Sequence, residues 1–163
     1  MKIRMAEEKD LIDLLDIYNY EVEHGTATFD LTKKTIPERR EWFFTHNKGN
    51  HPLIVAEEDK RAVGYACLSP YRAKEAYSAT VELSVYVDHR YRRRGIARKL
   101  MIEILDMARR DPATHTVVSV ITGENEASIR LHEELGFLDR GTIREVGVKF
   151  GRYLDIKNYQ MMV

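Results

Sequence analysis

The stretch from Thr80 to Lys99 carries a pattern able to hold an anion. Its first half, Thr80-Val-Glu-Leu-Ser-Val-Tyr-Val-Asp88, is rich in β-branched and aromatic residues and alternates in character, as a strand does. Its second half turns basic through Arg90, Arg92, Arg93, Arg94, Arg98 and Lys99, with Gly95 at the turn. It then runs into Ile96, Ala97, Leu100, Met101, Ile104 and Leu105, the stripe of an amphipathic helix. The first N–H groups of a helix have no intrahelical partner and carry the positive end of its dipole, so this junction suits a phosphate. A solvated basic face or a weak nucleic-acid patch is the competing reading of the same arginines.

Strand alternation places Thr80, Glu82, Ser84 and Tyr86 on one face and Val81, Leu83, Val85 and Val87 on the other. A carboxylate among such apolar neighbours is costly unless it is paired or put to use. Glu82 is therefore either a structural ion pair, with Arg72 or Lys149, or a working group.

The totals limit the rest. At 163 residues the chain is one domain with room for a substantial core. Lys plus Arg and Asp plus Glu are 26 each, so the chain is formally neutral and does not look like a general nucleic-acid binder. The basic cluster is local, which suits a small polyanion. The single cysteine, Cys67, excludes an intrachain disulfide and a multi-thiolate metal centre, and it reads as a small core residue in Gly64-Tyr-Ala-Cys-Leu68. No metal site is expected. No long apolar segment follows Met1, and no run approaches the roughly 20 residues of a membrane span, so a cytoplasmic protein without signal peptide or membrane contact is expected.

The elements that must position these residues alternate along the chain. Lys2 to Met5 reads as a strand, and Leu11, Leu14, Leu15, Tyr18 and Val22 mark a helix. Thr35-Ile-Pro-Glu38 has the form of a capping box and starts a second helix with Trp42, Phe43 and Phe44. Leu53 to Ala56 and Ala62 to Leu68 read as an antiparallel hairpin, followed by a loop from Ser69 to Ala79. After the central strand and helix come a strand over His115 to Ile121, a short helix from Asn125 ending at Gly136, and two strands, about Leu138 to Val146 and Arg152 to Met162. The fold class is α/β of the mixed α+β kind, one domain over 1–163 with a mixed, mostly antiparallel sheet flanked by helices.

Arg92-x-x-Gly95-x-Ala97 directly after Val85-Tyr86-Val87 resembles the acyl-CoA loop of the GCN5-related N-acetyltransferases. Asn125-x-x-Ser128-x-x-x-His132-Glu-x-x-Gly136-Phe137 is similar to a later helix of that superfamily. With Ile17-Tyr18-Asn19, Thr26-Ala-Thr-Phe29 and Gly147-Val-Lys149-Phe150-Gly-Arg152, the chain resembles the phosphinothricin and methionine sulfone or sulfoximine branch. The resemblance implies acetyl-CoA as donor and strands parted where it binds. Val85, Tyr86 and Val87 would meet the pantetheine, and Arg92, Arg93, Arg94, Gly95, Ile96, Ala97 and Arg98 the pyrophosphate. Asn125 and Ser128 would lie near the thiol end.

Acetyl transfer to an amine needs a base, and Glu82 is the implied one. His132 stands where many relatives carry a tyrosine that protonates the thiolate; a catalytic and a packing role both stay open for it. The implied acceptor is a small amino-acid-like amine, with Arg72 on its carboxylate. Phe29, Ala73, Lys74, Leu83, Ser84, Lys149 and Phe150 would stand around it. A homodimer is also implied. Two other classes remain: an acetyltransferase for protein N-termini or lysines, and a non-catalytic CoA-binding module.

Overall fold

The computed structural model describes residues 1–163, and one seven-stranded sheet organises them. In chain order the strands are β1 (Lys2–Met5), β2 (Leu53–Glu58), β3 (Arg61–Pro70), β4 (Thr80–Val87), β5 (Thr116–Thr122), β6 (Leu138–Lys149) and β7 (Arg152–Met162). The helices are α1 (Leu11–His24), α2 (Ile36–Phe43), α3 (Ile96–Arg110) and α4 (Glu126–Glu134). The sheet order is β1-β2-β3-β4-β5-β7-β6, and every neighbouring pair is antiparallel except β4 with β5. No helix is long and apolar enough to cross a membrane.

Several elements form for the reasons visible in their sequence. Thr35 Oγ1 accepts from Glu38 N–H at 3.3 Å while Glu38 Oε2 accepts from Thr35 N–H at 2.8 Å, so the expected capping box starts α2. The β2–β3 hairpin is tighter than expected: Asp59 and Lys60 both take left-handed φ, 49° and 65°, and the strands extend to Glu58 and from Arg61. β3 continues to Pro70, and the following loop holds one turn of 3₁₀ helix at Glu75–Tyr77. β6 runs three residues past the expected end at Val146, reaching Lys149 through two register shifts against β7.

The sheet has a core on each face. On one, Val81, Leu83 and Val117 meet Leu100, Met101 and Ile104 of α3. On the other, Tyr65 and Cys67 meet Leu11, Leu14 and Ile17 of α1 and Phe43 of α2. The alternation of β4 is as expected: Val81 and Leu83 enter the α3 core, whereas Tyr86 packs against the α1–α2 core. Cys67 is buried in that second core, and burial pushes its thiol up to about 11, which suits a packing residue and not a nucleophile.

Candidate active site

The parallel pairing of β4 with β5 is short. It covers Thr80↔Thr116, Val81↔Val117 and Glu82↔Val118, and there it stops. β4 stays with β3 as far as Val87, while β5 stays with β7 as far as Thr122, so the sheet forks after Glu82. Asp88 N–H bonds Val63 O at 2.9 Å, which sets the alternation of the β3–β4 ladder. By that alternation the amides of Leu83, Val85 and Val87 point away from β3, toward the fork.

A cleft of about 790 Å³ opens from the fork to the start of α3. Val85, Tyr86 and Val87 line one side of it, Asn125 and Ser128 the opposite side. Its far end is walled by Arg92, Arg93, Gly95, Ile96, Ala97 and Arg98. No backbone amide from Arg92 to Arg98 has a partner within the protein; the first α-helical bond is Lys99 N–H to Gly95 O at 3.1 Å. Gly95 makes this possible because it caps α3 at φ 73°, a conformation that side chains resist. Open space also surrounds the position a Cβ would take, so a phosphate can approach the amides.

The arginines divide their labour. Arg92 turns back to the carboxylate of Glu21 on α1 and so fixes the loop to the helix. Arg94 faces away from the cleft, with its guanidinium 3.5 Å from Glu58 and 5.0 Å over the Tyr91 ring. Arg93 holds a left-handed φ of 61° beside Gly95. The turn thus presents backbone N–H groups to the cleft, and Arg92 supplies mechanical anchoring.

A smaller recess continues the cleft between the parted strands, with Leu83, Ser84, Ser119, Asn125, Ser128 and His132 on its walls. His132 is 2 % exposed. Its Nδ1 lies 2.7 Å from Ser128 O, and a carbonyl only accepts, so Nδ1 carries the proton. Nε2, 2.9 Å from Ser119 Oγ, therefore accepts from that hydroxyl. Burial lowers the imidazole pKa, which favours this neutral form. Ser119 was not legible as a site residue, since nothing in its own stretch marks it.

Glu82 lies on the opposite face from that core, beside Ser84 and across from Ser69 of β3. It makes no ion pair; burial raises its carboxyl pKa above the usual range, and no neighbouring cation offsets this. Neither of its expected structural partners reaches it. Lys149 is buried, and its Nζ donates to Glu21 O at 3.2 Å and Thr28 O at 2.9 Å. Arg72 is exposed on the loop after β3, 5.2 Å over the ring of Tyr71.

A second cleft, of about 430 Å³, lies on the Glu82 face of the sheet. Cys67, Ser69, Ser84 and Tyr86 form its floor, and Tyr18, Asp30, Lys34, Arg39 and Trp42 come over it from α1, α2 and the segment between them. Of the expected acceptor residues, Ser84 lines both this cleft and the recess, and Leu83 lines the recess alone. Arg72, Ala73 and Lys74 sit together on the exposed loop before β4. Lys149 lines neither of the two clefts nor the recess; it ties the end of α1 to the following loop. Phe150 beside it is 54 % exposed. Phe29 is held by contact with β6: a Cβ on Gly147 would fall 2.6 Å from Phe29 Cδ2, so only glycine lets that ring lie there.

The Acetyltransferase (GNAT) family model matches residues 13–137. The chain belongs to this family of acetyltransferases, and its donor is acetyl-CoA. It is 43 % identical to a phosphinothricin N-acetyltransferase of Streptomyces coelicolor, over 98 % of this chain and 95 % of that one. It is 36 % identical to an L-methionine sulfoximine/L-methionine sulfone acetyltransferase of Salmonella typhimurium, over 100 % and 95 %. Among solved structures, a ribosomal-protein-alanine N-acetyltransferase from Brucella melitensis superposes with TM-score 0.96 at 39 % identity, covering 100 % of both chains. A putative acetyltransferase from Salmonella typhimurium, solved with its cofactor acetyl-CoA, also gives TM-score 0.96, at 36 % identity over 99 % and 93 %.

Proposed function

We propose that this acetyltransferase acts on the free α-amine of a small amino-acid-like acceptor of the phosphinothricin, methionine sulfone or methionine sulfoximine type. The observation that carries the reading is Glu82: a half-buried carboxylate without a cation, at the fork and on the face where the second cleft opens. A raised carboxyl pKa brings a base closer to the operating pH. Glu82 takes the proton of the attacking ammonium, directly or through a water. The amine nitrogen then bonds the thioester carbon, a fork-facing amide of β4 bonds the developing oxyanion, and the carbon–sulfur bond breaks. The adduct nitrogen, cationic after attack, gives up its second proton, which the departing thiolate takes up through water, beside the recess where neutral His132 holds the Ser119 hydroxyl in place. Direct transfer is the route, since Cys67, the only thiol, is buried and inert.

Val85 to Val87 hold the pantetheine, the Arg92–Arg98 turn holds the pyrophosphate, and Asn125 and Ser128 stand at the thiol end. Arg72, with Ala73 and Lys74 beside it, receives the acceptor's carboxylate; Phe29 and Phe150 close the outer wall. The protein works in the cytoplasm as a homodimer without nucleic-acid or membrane partners. Support for the dimer comes from β6, an edge strand that exposes the apolar side chains of Leu138, Ile143, Val146 and Val148, an edge suited to a second copy.

The name of the Brucella neighbour favours a second reading, acetylation of protein N-termini. Thiol release from acetyl-CoA separates the two when measured with phosphinothricin, methionine sulfone, an alanine-terminated peptide and no acceptor. The amino acids alone should turn over. Release only with the peptide selects the second reading, and acetyl-CoA binding without release to any acceptor leaves a CoA-binding module.

A further inference from the structure

Arg39 is 4 % exposed, yet it has no carboxylate partner. Its guanidinium carbon lies 3.4 Å from the ring centre of Trp42, 4.6 Å from that of Tyr18 and 5.3 Å from that of Tyr65. One terminal nitrogen donates to Tyr65 Oη at 2.6 Å, and the buried Nε donates to nothing in the protein. Two acids line the same cleft, and both are otherwise engaged. Asp30 accepts from the Tyr18 hydroxyl and lies 3.8 Å from Lys34, while Glu38 closes the capping box on Thr35. A buried cation held by aromatic faces and one phenol is expensive unless an anion or strong hydrogen-bond acceptors complete it. Arg39 lines the second cleft, whose floor includes Ser84, two residues along β4 from Glu82 on the same face.

We infer that Arg39, with Lys34 beside it, is the subsite for an oxygen-rich side-chain terminus of the acceptor, a phosphinate, sulfonyl or carboxylate group. The inference rests on the amino-acid reading above and deepens it. An acceptor lying along β4 presents its amine to Glu82, its backbone carboxylate to Arg72 at the rim, and its side chain to the Arg39 cleft. A guanidinium bonds two oxygens on one atom in a fixed plane, and Trp42 and Tyr65 hold that plane still. A thioether offers such a site nothing. The cleft should therefore separate methionine sulfone from methionine, molecules that differ only by two sulfur-bound oxygens.

The test compares kcat/KM for methionine sulfone, methionine sulfone carboxamide and methionine in the parent, Arg39→Met and Arg39→Lys. The parent should prefer the sulfone to methionine about tenfold or more, and Arg39→Met should bring that ratio toward one while keeping the preference of acid over amide. Arg39→Lys serves the same comparison should the methionine variant not fold. A ratio that survives the substitution, a parent without preference, or loss of acid-over-amide selection instead would each overturn the inference. Binding is read independently of turnover through Trp42, the only tryptophan of the chain. Its emission should respond saturably to the sulfone in the presence of CoA, and an equal response to methionine counts against the subsite. Should the sulfone titrate Trp42 while no amino acid is acetylated, the subsite stands and the acceptor assignment falls; should amino acids be acetylated without side-chain discrimination, the acceptor assignment stands and the subsite falls.

Discussion

Glu82 stands opposite Val118 in the last rung that joins β4 to β5. One residue further the two strands part, and from there β4 has a free edge toward the cleft. The same rung thus ends the sheet's continuity and places a carboxylate beside the opening. Burial without a compensating cation raises its pKa, so the group holds its proton to higher pH than an ordinary glutamate.

Two opposite effects follow from replacing it. Glu82→Gln keeps the shape, removes the base and should lower turnover about a hundredfold or more, with acetyl-CoA affinity nearly unchanged. Because the folded pKa exceeds the unfolded one, ionisation of Glu82 costs stability once pH rises above the unfolded value. The glutamine variant should therefore melt at or above the parent temperature at pH 7. Steady-state kinetics with a thermal melt decide it: parent-like turnover removes the base, and marked destabilisation makes the carboxylate structural.

What the sequence made legible was local. The capping box at Thr35 and Glu38, the glycine start of α3 and the alternation of β4 are each encoded within a few residues, and each appears as read. The anchors were not legible, because topology makes them. Arg92 meets Glu21 across 71 positions, and Lys149 meets Thr28 across 121. Arg39 sits in a short charged helix whose spacing gives no hint that it turns inward under Trp42. The sequence showed that a strand, a basic turn and a helix meet at Gly95; it did not show which arginine side chain would serve as a strut.

Gly95 tests the turn. Gly95→Ala puts a Cβ into the left-handed region at a cost of about 1–2 kcal/mol, so the turn must shift away from φ 73°, and the methyl takes up part of the open space beside the start of α3. Acetyl-CoA affinity measured by calorimetry should fall at least tenfold in a protein that still folds. A stability loss without any loss of affinity would place the pyrophosphate elsewhere.

The buried histidines set an acid limit on stability. His132 and His46 are both lowered by burial, so the unfolded chain, near the ordinary value of about 6.5, binds protons that the folded protein refuses. Stability should accordingly hold above that pH and decline below it, by up to about 1.4 kcal/mol per pH unit for each group. His132→Gln removes one of the two, and the drop in its melting temperature between pH 7 and pH 5 should be smaller than the parent's. An equal drop would show that His132 is not the group resisting protonation.

Arg72 is the residue proposed to read the acceptor's carboxylate, and its exposure makes the expectation sharp. It belongs to the loop that feeds β4, ten residues before Glu82, and its guanidinium lies near Tyr71 and Tyr77 instead of any acid of the chain. Nothing in the fold consumes the charge, so its removal should leave stability and the acetyl-CoA KM close to those of the parent. A planar pair with a carboxylate is lost, however, which lysine does not reproduce. Arg72→Ala and Arg72→Lys should both raise the acceptor KM about tenfold or more, and the alanine variant should use methionine sulfone and its carboxamide nearly equally. Because the α-carboxylate is common to every amino acid, the penalty should be the same for the sulfone and for methionine, which separates Arg72 from Arg39. Kinetics of both variants against these acceptors check it, and an acceptor KM untouched by loss of the guanidinium takes Arg72 out of the site.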